Sequence, residues 1–280
     1  MADTLHEWIG KQQQASDEVS LAAIKRLAAL LDVPLRPYRR GDAIPKGWYV
    51  VLFTPEERQS LLGPDGHPHK GQFIPPVPLP RRMFAGRRVE FHDVLRIGDE
   101  VNRLSRIARI EPKQGRSGKM CFVTVRHEIS GPRGLAVVEE HDIVYREAAK
   151  PGEKQREPKP APTDATWTRK VMADPVLLFR FSALTFNGHR IHYDQPYVTG
   201  TEGYPGLIVH GPLMGMLQME LARRSNPDRI PRSFEFRALS PVFAGGPFSV
   251  QARREPDGSI ATWIADGKGG LAQQGKATFR

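Results

Sequence analysis

The sequence predicts an α+β protein made of two units of one design, each a helix followed by an antiparallel β-meander. Three observations carry that reading. A Pro-, Lys- and Glu-rich stretch, AAKPGEKQREPKPAPTDA from Ala148 to Ala165, has almost no large apolar residues and divides the 280-residue chain. Each half opens on a helical pattern. Each then enters matching words, RVEFHDVLRIGDEV from Arg88 and SFEFRALSPVFAGGPFSV from Ser233, both a strand, a Gly-containing turn and a second strand. The expected units are residues 1–147, a linker at 148–165, and residues 166–280.

In the first half, SDEVSLAAIKRLAALL from Ser16 predicts a helix, with acidic residues in its first turn and apolar residues at helical spacing. A one- or two-turn helix is expected from Thr54, with Pro55 at its first position. Gly63–Pro64 stops it, and the Pro-rich FIPPVPLPRR cannot be a buried helix. After Arg88 come KMCFVTVRHEIS, a turn at Gly131–Gly134 and LAVVEEHDIVYRE, all strand-like. GRSGK at Gly115–Lys119 is too short for a phosphate-binding loop and reads as a hairpin turn.

The second half starts with ADPVLLFRFSALT, where Asp174 suits an N-cap and Pro175 the first helical position. Its crowded apolar residues predict a largely buried helix. GYPGLIVHGPLMGMLQMELARR then gives a Gly-rich turn feeding an apolar helix of about four turns, as a helix wrapped by a curved sheet requires. SIATWIADGKGGLAQQGKATF supplies the last strands. The first half has no counterpart to the apolar helix, so its centre should be partly empty.

Composition bounds the function. Hydrophobic residues at 39% and charged residues at 26% fit a globular protein. Cys121 is alone, which rules out an intrachain disulfide and a cysteine metal cage. MADTLHEWIGKQQQ lacks a secretory pattern, and no apolar run approaches the ~20 residues a membrane crossing needs. A reducing cytoplasm is the expected compartment, with no membrane partner. The net charge of +10 brings no finger, RNP-like or basic-helix pattern, so nucleic acid is not the expected partner. The charge suits a small anion bearing several phosphates.

FNGHRIHYDQPYV from Phe186 and YPGLIVHGPL from Tyr204 carry the chemistry. His192 follows a helix closely, with Asn187 five positions before it. His210 and Gly211 precede the apolar helix, with Pro212 placed to begin it. Unpaired N–H groups at that N-terminus, beside the positive end of the dipole, would seat a developing oxyanion. An imidazole and an oxyanion seat are the parts needed to act on a carbonyl compound. Taken singly, a histidine near a helix end is usually a cap or surface residue. His67 and His69 in DGHPHK read as loop surface, and Asp194 as a cap.

These words resemble the MaoC-like hydratase group, the (R)-specific enoyl-CoA hydratases or hydratase 2, whose members read roughly G-D-x-N-P-[IL]-H-x-D and later [IV]-V-H-G. LGPDGHPHKGQFIPPVPLPRRMFAG, GRSGKMCFVTVRHEI and EEHDIVYRE resemble the FAS1-like dehydratase domain that often precedes it, and in particular the itaconyl-CoA and mesaconyl-C4-CoA hydratase branch. The resemblance implies two hot-dog domains, each an antiparallel sheet wrapped round a central helix, the N-terminal helix shortened or missing. It implies His192 as catalytic base and Gly211 as the N–H that polarises the thioester. The family's Asp falls at Asn187, which cannot exchange a proton but can hold a water. His189 and Arg190 depart from the family's Asn and Pro. With Tyr193, His210, Arg81 and Arg82 they are expected to line the substrate, one arginine meeting a free carboxylate.

The implied reaction is reversible hydration of a short branched dicarboxylic enoyl-CoA to citramalyl-CoA. Coenzyme A is part of the substrate, and no cofactor or metal is expected. Competing readings are a straight-chain (R)-3-hydroxyacyl-thioester dehydratase, a thioesterase and a non-catalytic acyl-CoA-binding subunit. Whether one chain or a homodimer is the working unit stays open.

Overall fold

The computed structural model describes residues 5–34, 36–115, 118–148 and 157–280. Part of the expected linker (149–156) and the tip of the GRSGK turn (116–117) lie outside them.

Ten strands form one antiparallel sheet. The first half gives β1 (Gln12–Glu18), β2 (Arg81–Phe91), β3 (Glu100–Gly115), β4 (Gly118–Gly131) and β5 (Gly134–Arg146). The second gives β6 (Trp167–Ala173), β7 (Pro231–Ala238), β8 (Gly246–Arg254), β9 (Ile260–Ala265) and β10 (Leu271–Phe279). The order is β1-β3-β4-β5-β2-β7-β10-β9-β8-β6, so each half repeats the same arrangement from the centre outward. Two separate sheets were expected. Instead β2 and β7 pair, Gly86 opposite Arg237 through Glu90 opposite Ser233, so neither half leaves that edge unbonded.

The outer strands β1 and β6 are half-exposed, β1 polar throughout and β6 turning Trp167, Val171 and Ala173 onto the core. Ser16, Asp17 and Glu18 belong to β1, not to a helix. Helix α1 is Leu21–Leu30, and Ser20 Oγ accepts from Ala23 N at 3.4 Å. Asp17 is committed elsewhere, accepting from Phe53 N at 2.6 Å. Helix α2, Pro175–Thr185, is capped as expected, Asp174 accepting from Leu177 N at 2.8 Å. It is only half-buried: Leu178 and Phe181 point inward, while Val176 and Phe179 face solvent. Helix α3, Gln195–Gly200, is short.

Helix α4, Gly211–Arg224, lies inside the curve of the second half, with Leu213 through Glu220 and Ala222 all buried. Each such large apolar side chain contributes about 1.5–3 kcal/mol when fully buried. Its one polar turn is satisfied, Gln218 donating to Gln273 Oε1 at 2.6 Å and accepting from Thr262 Oγ1 at 2.7 Å.

The corresponding helix of the first half is reduced to one 3-10 turn, Trp48–Val51, earlier than the helix expected at Thr54. Trp48 is fully buried and donates from Nε1 to Glu220 Oε1 at 2.8 Å, tying the remnant to α4. Beyond it, residues 63–80 contain no helix. That half is not simply empty: Phe73, Ile74, Val77 and Leu79 fold onto Ile107, Val123, Ile143 and Tyr145 as a second core.

Candidate active site

The catalytic words lie in two loops that meet at the start of α4. Phe186 ends α2 in the left-handed region at φ 49°. Asn187 Oδ1 then accepts from His189 N at 3.0 Å, an Asx turn that reverses the chain. A 3-10 turn, Arg190–His192, follows, and Asp194 caps α3 through Tyr197 N at 3.0 Å. Tyr193 is half-exposed, and its hydroxyl donates to Gly188 O at 3.0 Å, tying the turn.

His192 is buried, and its Nδ1 lies 2.7 Å from Ile208 O. A carbonyl only accepts, so Nδ1 carries the proton and Nε2 presents a lone pair. Burial pushes its pKa down to about 4, the Ile208 bond opposing and His67 adding to the fall. At pH 7 it is a neutral base.

His210 departs from expectation. It was read as a substrate contact, yet it is wholly buried, its ring stacked on His192 at 3.6 Å between centroids. Its Nε2 meets Ser182 Oγ at 2.8 Å, so it braces the base from behind.

Gly211 opens α4, and its N–H has no partner among the described residues. A Cβ here would lie 2.7 Å from Phe84 Cδ1, so only glycine leaves room between the N–H and that ring. Gln273 Nε2 donates to Gly211 O at 3.2 Å and fixes the peptide.

The first half closes the site from the other side. Gly66, at φ +87°, presses its backbone on Gly188; a Cβ would run into the Gly188 carbonyl. Arg190 N donates to Asp65 O and its guanidinium to Pro64 O, both at 2.9 Å. This docking brings His67, taken for loop surface, to 4.2 Å from the His189 ring, which stands edge-on to His192 at 5.5 Å. His67 Nδ1 lies 2.9 Å from Asp65 Oδ2. Burial lowers the basicity of His67 and His189. Burial works against Asp65, but its bond to His67 keeps its carboxyl well below the usual range. Only the Asp-Gly-His turn hinted at this pair; its reach across the halves is tertiary. Ligand atoms of Asp65, His67 and His189 lie within 4.8 Å of one another, as do those of His127, Glu139 and His141.

The three candidate arginines separate. Arg190 is held by Asp194 at 2.8 Å, and Arg81 by Glu202 at 3.3 Å with Tyr204 under its guanidinium. Neither is a spare cation. Arg82 stands on the same sheet face as Phe84, opposite Tyr145. It has no ion pair among the described residues, and it lowers the basicity of both His67 and His189.

Comparison with known proteins identifies the family and the fold. The family model described as hydroxyacyl-thioester dehydratase type 2 matches residues 47–244. The mesaconyl-C(4)-CoA hydratase of Chloroflexus aurantiacus is 47% identical over 266 residues, 94% of this chain and 93% of that protein. HtdX of Mycobacterium tuberculosis superposes with a TM-score of 0.67 at 15% identity, over 96% of this chain and all of that one. Another Mycobacterium tuberculosis protein, described as a double hot-dog fold, gives 0.56 at 14% identity over 97% and 96%. These likenesses show the fold to be a double hot dog. The chain belongs to the hydroxyacyl-thioester dehydratase type 2 family of MaoC-like hydratases and dehydratases, and is a hydro-lyase acting at an enoyl-thioester double bond.

Proposed function

We propose that the protein hydrates a short branched dicarboxylic enoyl-CoA, mesaconyl-C4-CoA or itaconyl-CoA, to citramalyl-CoA. The observation that carries the reading is the neutral Nε2 of His192, whose ring stacks on His210, the residue just before the unpaired N–H of Gly211 at the start of α4. Gly211 N–H and the helix dipole draw charge onto the thioester oxygen. His192 Nε2 takes a proton from a water steadied by the Asn187 amide. In mesaconyl-C4-CoA, whose double bond is conjugated with the thioester, the water oxygen bonds the β-carbon while the double-bond electrons move toward the thioester; itaconyl-CoA, with its double bond one carbon further out, must first shift it into conjugation by moving a proton from the α- to the γ-carbon. The α-carbon then takes the proton from His192, which restores the base. Positioned acid–base help gives roughly 10²–10⁴-fold and one oxyanion donor about 10²–10³.

Citramalyl-CoA carries its hydroxyl and its free carboxylate on one carbon, so a cation must stand close to the base. Arg82 fits: it is unpaired among the described residues, beside His189, and its planar fork suits a carboxylate. The name and near-complete coverage of the Chloroflexus relative support the same substrate class. The test compares kcat/KM for mesaconyl-C4-CoA, itaconyl-CoA and crotonyl-CoA. Arg82→Ala should cost the dicarboxylic substrates at least about tenfold and leave crotonyl-CoA nearly unchanged. Crotonyl-CoA as the better wild-type substrate would replace this reading with the straight-chain dehydratase.

A further inference from the structure

We propose that the inner face of the first half holds a second carboxylate seat, which admits longer straight-chain enoyl thioesters ending in a free carboxylate. The proposal rests on the hydratase reading of the His192 site. In the second half the inner face is covered by α4. In the first half the helix stops at Val51, and the face it would cover is apolar toward both ends with a polar patch between them. The register sets who shares that face: Arg87 opposite His141, Val125 opposite His141, His127 opposite Glu139, and Ser105 opposite His127. Arg103 stands two residues before Ser105 on the same strand, opposite Ile129.

This is not a self-contained network. Ser105 Oγ meets His127 Nδ1 at 2.7 Å, Arg87 Nε lies 3.1 Å from Glu139 Oε1, and Tyr49 donates to Glu139. Yet Arg103 Nε is buried with no hydrogen-bond partner among the described residues, and its guanidinium rests on the Phe53 ring at 4.7 Å. Two guanidiniums therefore share one carboxylate on this face, with Asp17 reaching Arg103 only from the strand edge. Unpaired buried cationic groups are costly, and an anion relieves them. A divalent cation at His127, Glu139 and His141 would meet two like charges instead.

The seat adjoins the ring that bounds Gly211. Phe84, whose ring bounds Gly211, lies 5.3 Å from the His141 ring and 5.9 Å from the Arg87 guanidinium carbon. Arg82, Phe84 and Arg87 form one row along β2, so an acyl chain leaving Gly211 past Phe84 ends among these charges. The bonds made and broken are those at His192; only the chain beyond the β-carbon is longer.

The test pairs chains of equal length with and without the terminal charge. Calorimetry with hexanedioyl-CoA and hexanoyl-CoA, which contain no double bond and are not turned over, reads the seat alone. Hydration of trans-2-hexenedioyl-CoA and trans-2-hexenoyl-CoA reads its use. We expect the charged member to bind at least about tenfold tighter, Arg103→Gln to remove the preference, and Arg103→Lys to keep part of it. Glu139→Gln, which deletes the competing carboxylate, should enlarge it. Melting temperatures and crotonyl-CoA turnover in each variant report the fold and the His192 site separately. Equal binding of the two chains, equal loss for both in Arg103→Gln, or a preference abolished by EDTA would overturn the seat. Inert mesaconyl-C4-CoA, itaconyl-CoA and crotonyl-CoA with the binding preference intact would overturn the hydratase reading and leave the seat standing.

Discussion

Replacing Gly211 by alanine perturbs the site by a single methyl group. The new Cβ would sit 2.7 Å from Phe84 Cδ1 and 3.3 Å from Cγ, against the ~3.5–4.0 Å that carbon atoms prefer. The ring must retreat by about 1 Å. It cannot do so freely, because Phe236 stacks on it at 5.5 Å and His141 at 5.3 Å. Overpacking of this kind costs about 1–3 kcal/mol. Alanine's better helix propensity offsets up to ~1 kcal/mol. The net loss of about 0–2 kcal/mol should lower Tm by no more than roughly 8 °C for a chain of this size. Activity should suffer far more. In the proposed mechanism the methyl would stand where the thioester oxygen approaches the Gly211 N–H, and a misplacement of about 1 Å costs ~10²-fold. The assay is kcat/KM for loss of enoyl absorbance, with melting followed in parallel. Gly211→Ala combined with Phe84→Leu should recover part of the lost rate, because the two changes share one space. Full activity in the single variant would refute the placement of the thioester.

Two further outcomes follow from the same geometry. Burial lowers the pKa of His192 to about 4, so between that value and the ordinary ~6.5 the unfolded chain binds the proton and the folded one does not. Stability from this group is therefore fully present above about pH 6.5 and is lost as pH falls, by about 3 kcal/mol once pH drops below 4. His189 and His210 shift the same way, so Tm should fall steadily from pH 7 to 5 and the fall should be shallower in His192→Gln. At Asn187, aspartate can still accept from His189 N–H and alanine cannot. Asn187→Ala should lower kcat by at least about tenfold and Asn187→Asp should keep most of it; an unaffected alanine variant would mean the water is held elsewhere.

Local signals were legible where chemistry and geometry are local. Asp174 and Pro175 start α2 because a cap needs only its own turn, and Pro212 marks the start of α4 for the same reason. The strand words after Arg88 and Ser233 survive as β2–β3 and β7–β8 because alternation is set by one buried face. What failed was set by distant chain. β1 was invisible because an edge strand of Gln, Ser and Asp buries little, and its acidic end mimics a helix start. The exposed side of α2 could not be told from apolar content alone. The remnant turn at Trp48 depends on Glu220, a residue of the other half. In the site, the place of Gly211 and Pro212 at the start of α4, with His192 on a separate loop, was readable from the local words. The burial of His210 and the arrival of His67 beside His189 were not, because both follow from how loops dock.

The proposed mechanism stands or falls with His192 as the base of a hydratase. The most direct measurement is turnover of mesaconyl-C4-CoA and crotonyl-CoA by wild type and His192→Ala, following enoyl absorbance and free thiol together, with circular dichroism to check the fold. Wild type should lose absorbance without thiol release, and kcat should fall at least about 10²-fold in a folded His192→Ala. A folded variant with undiminished hydration, or a wild type that releases thiol instead, would contradict that mechanism.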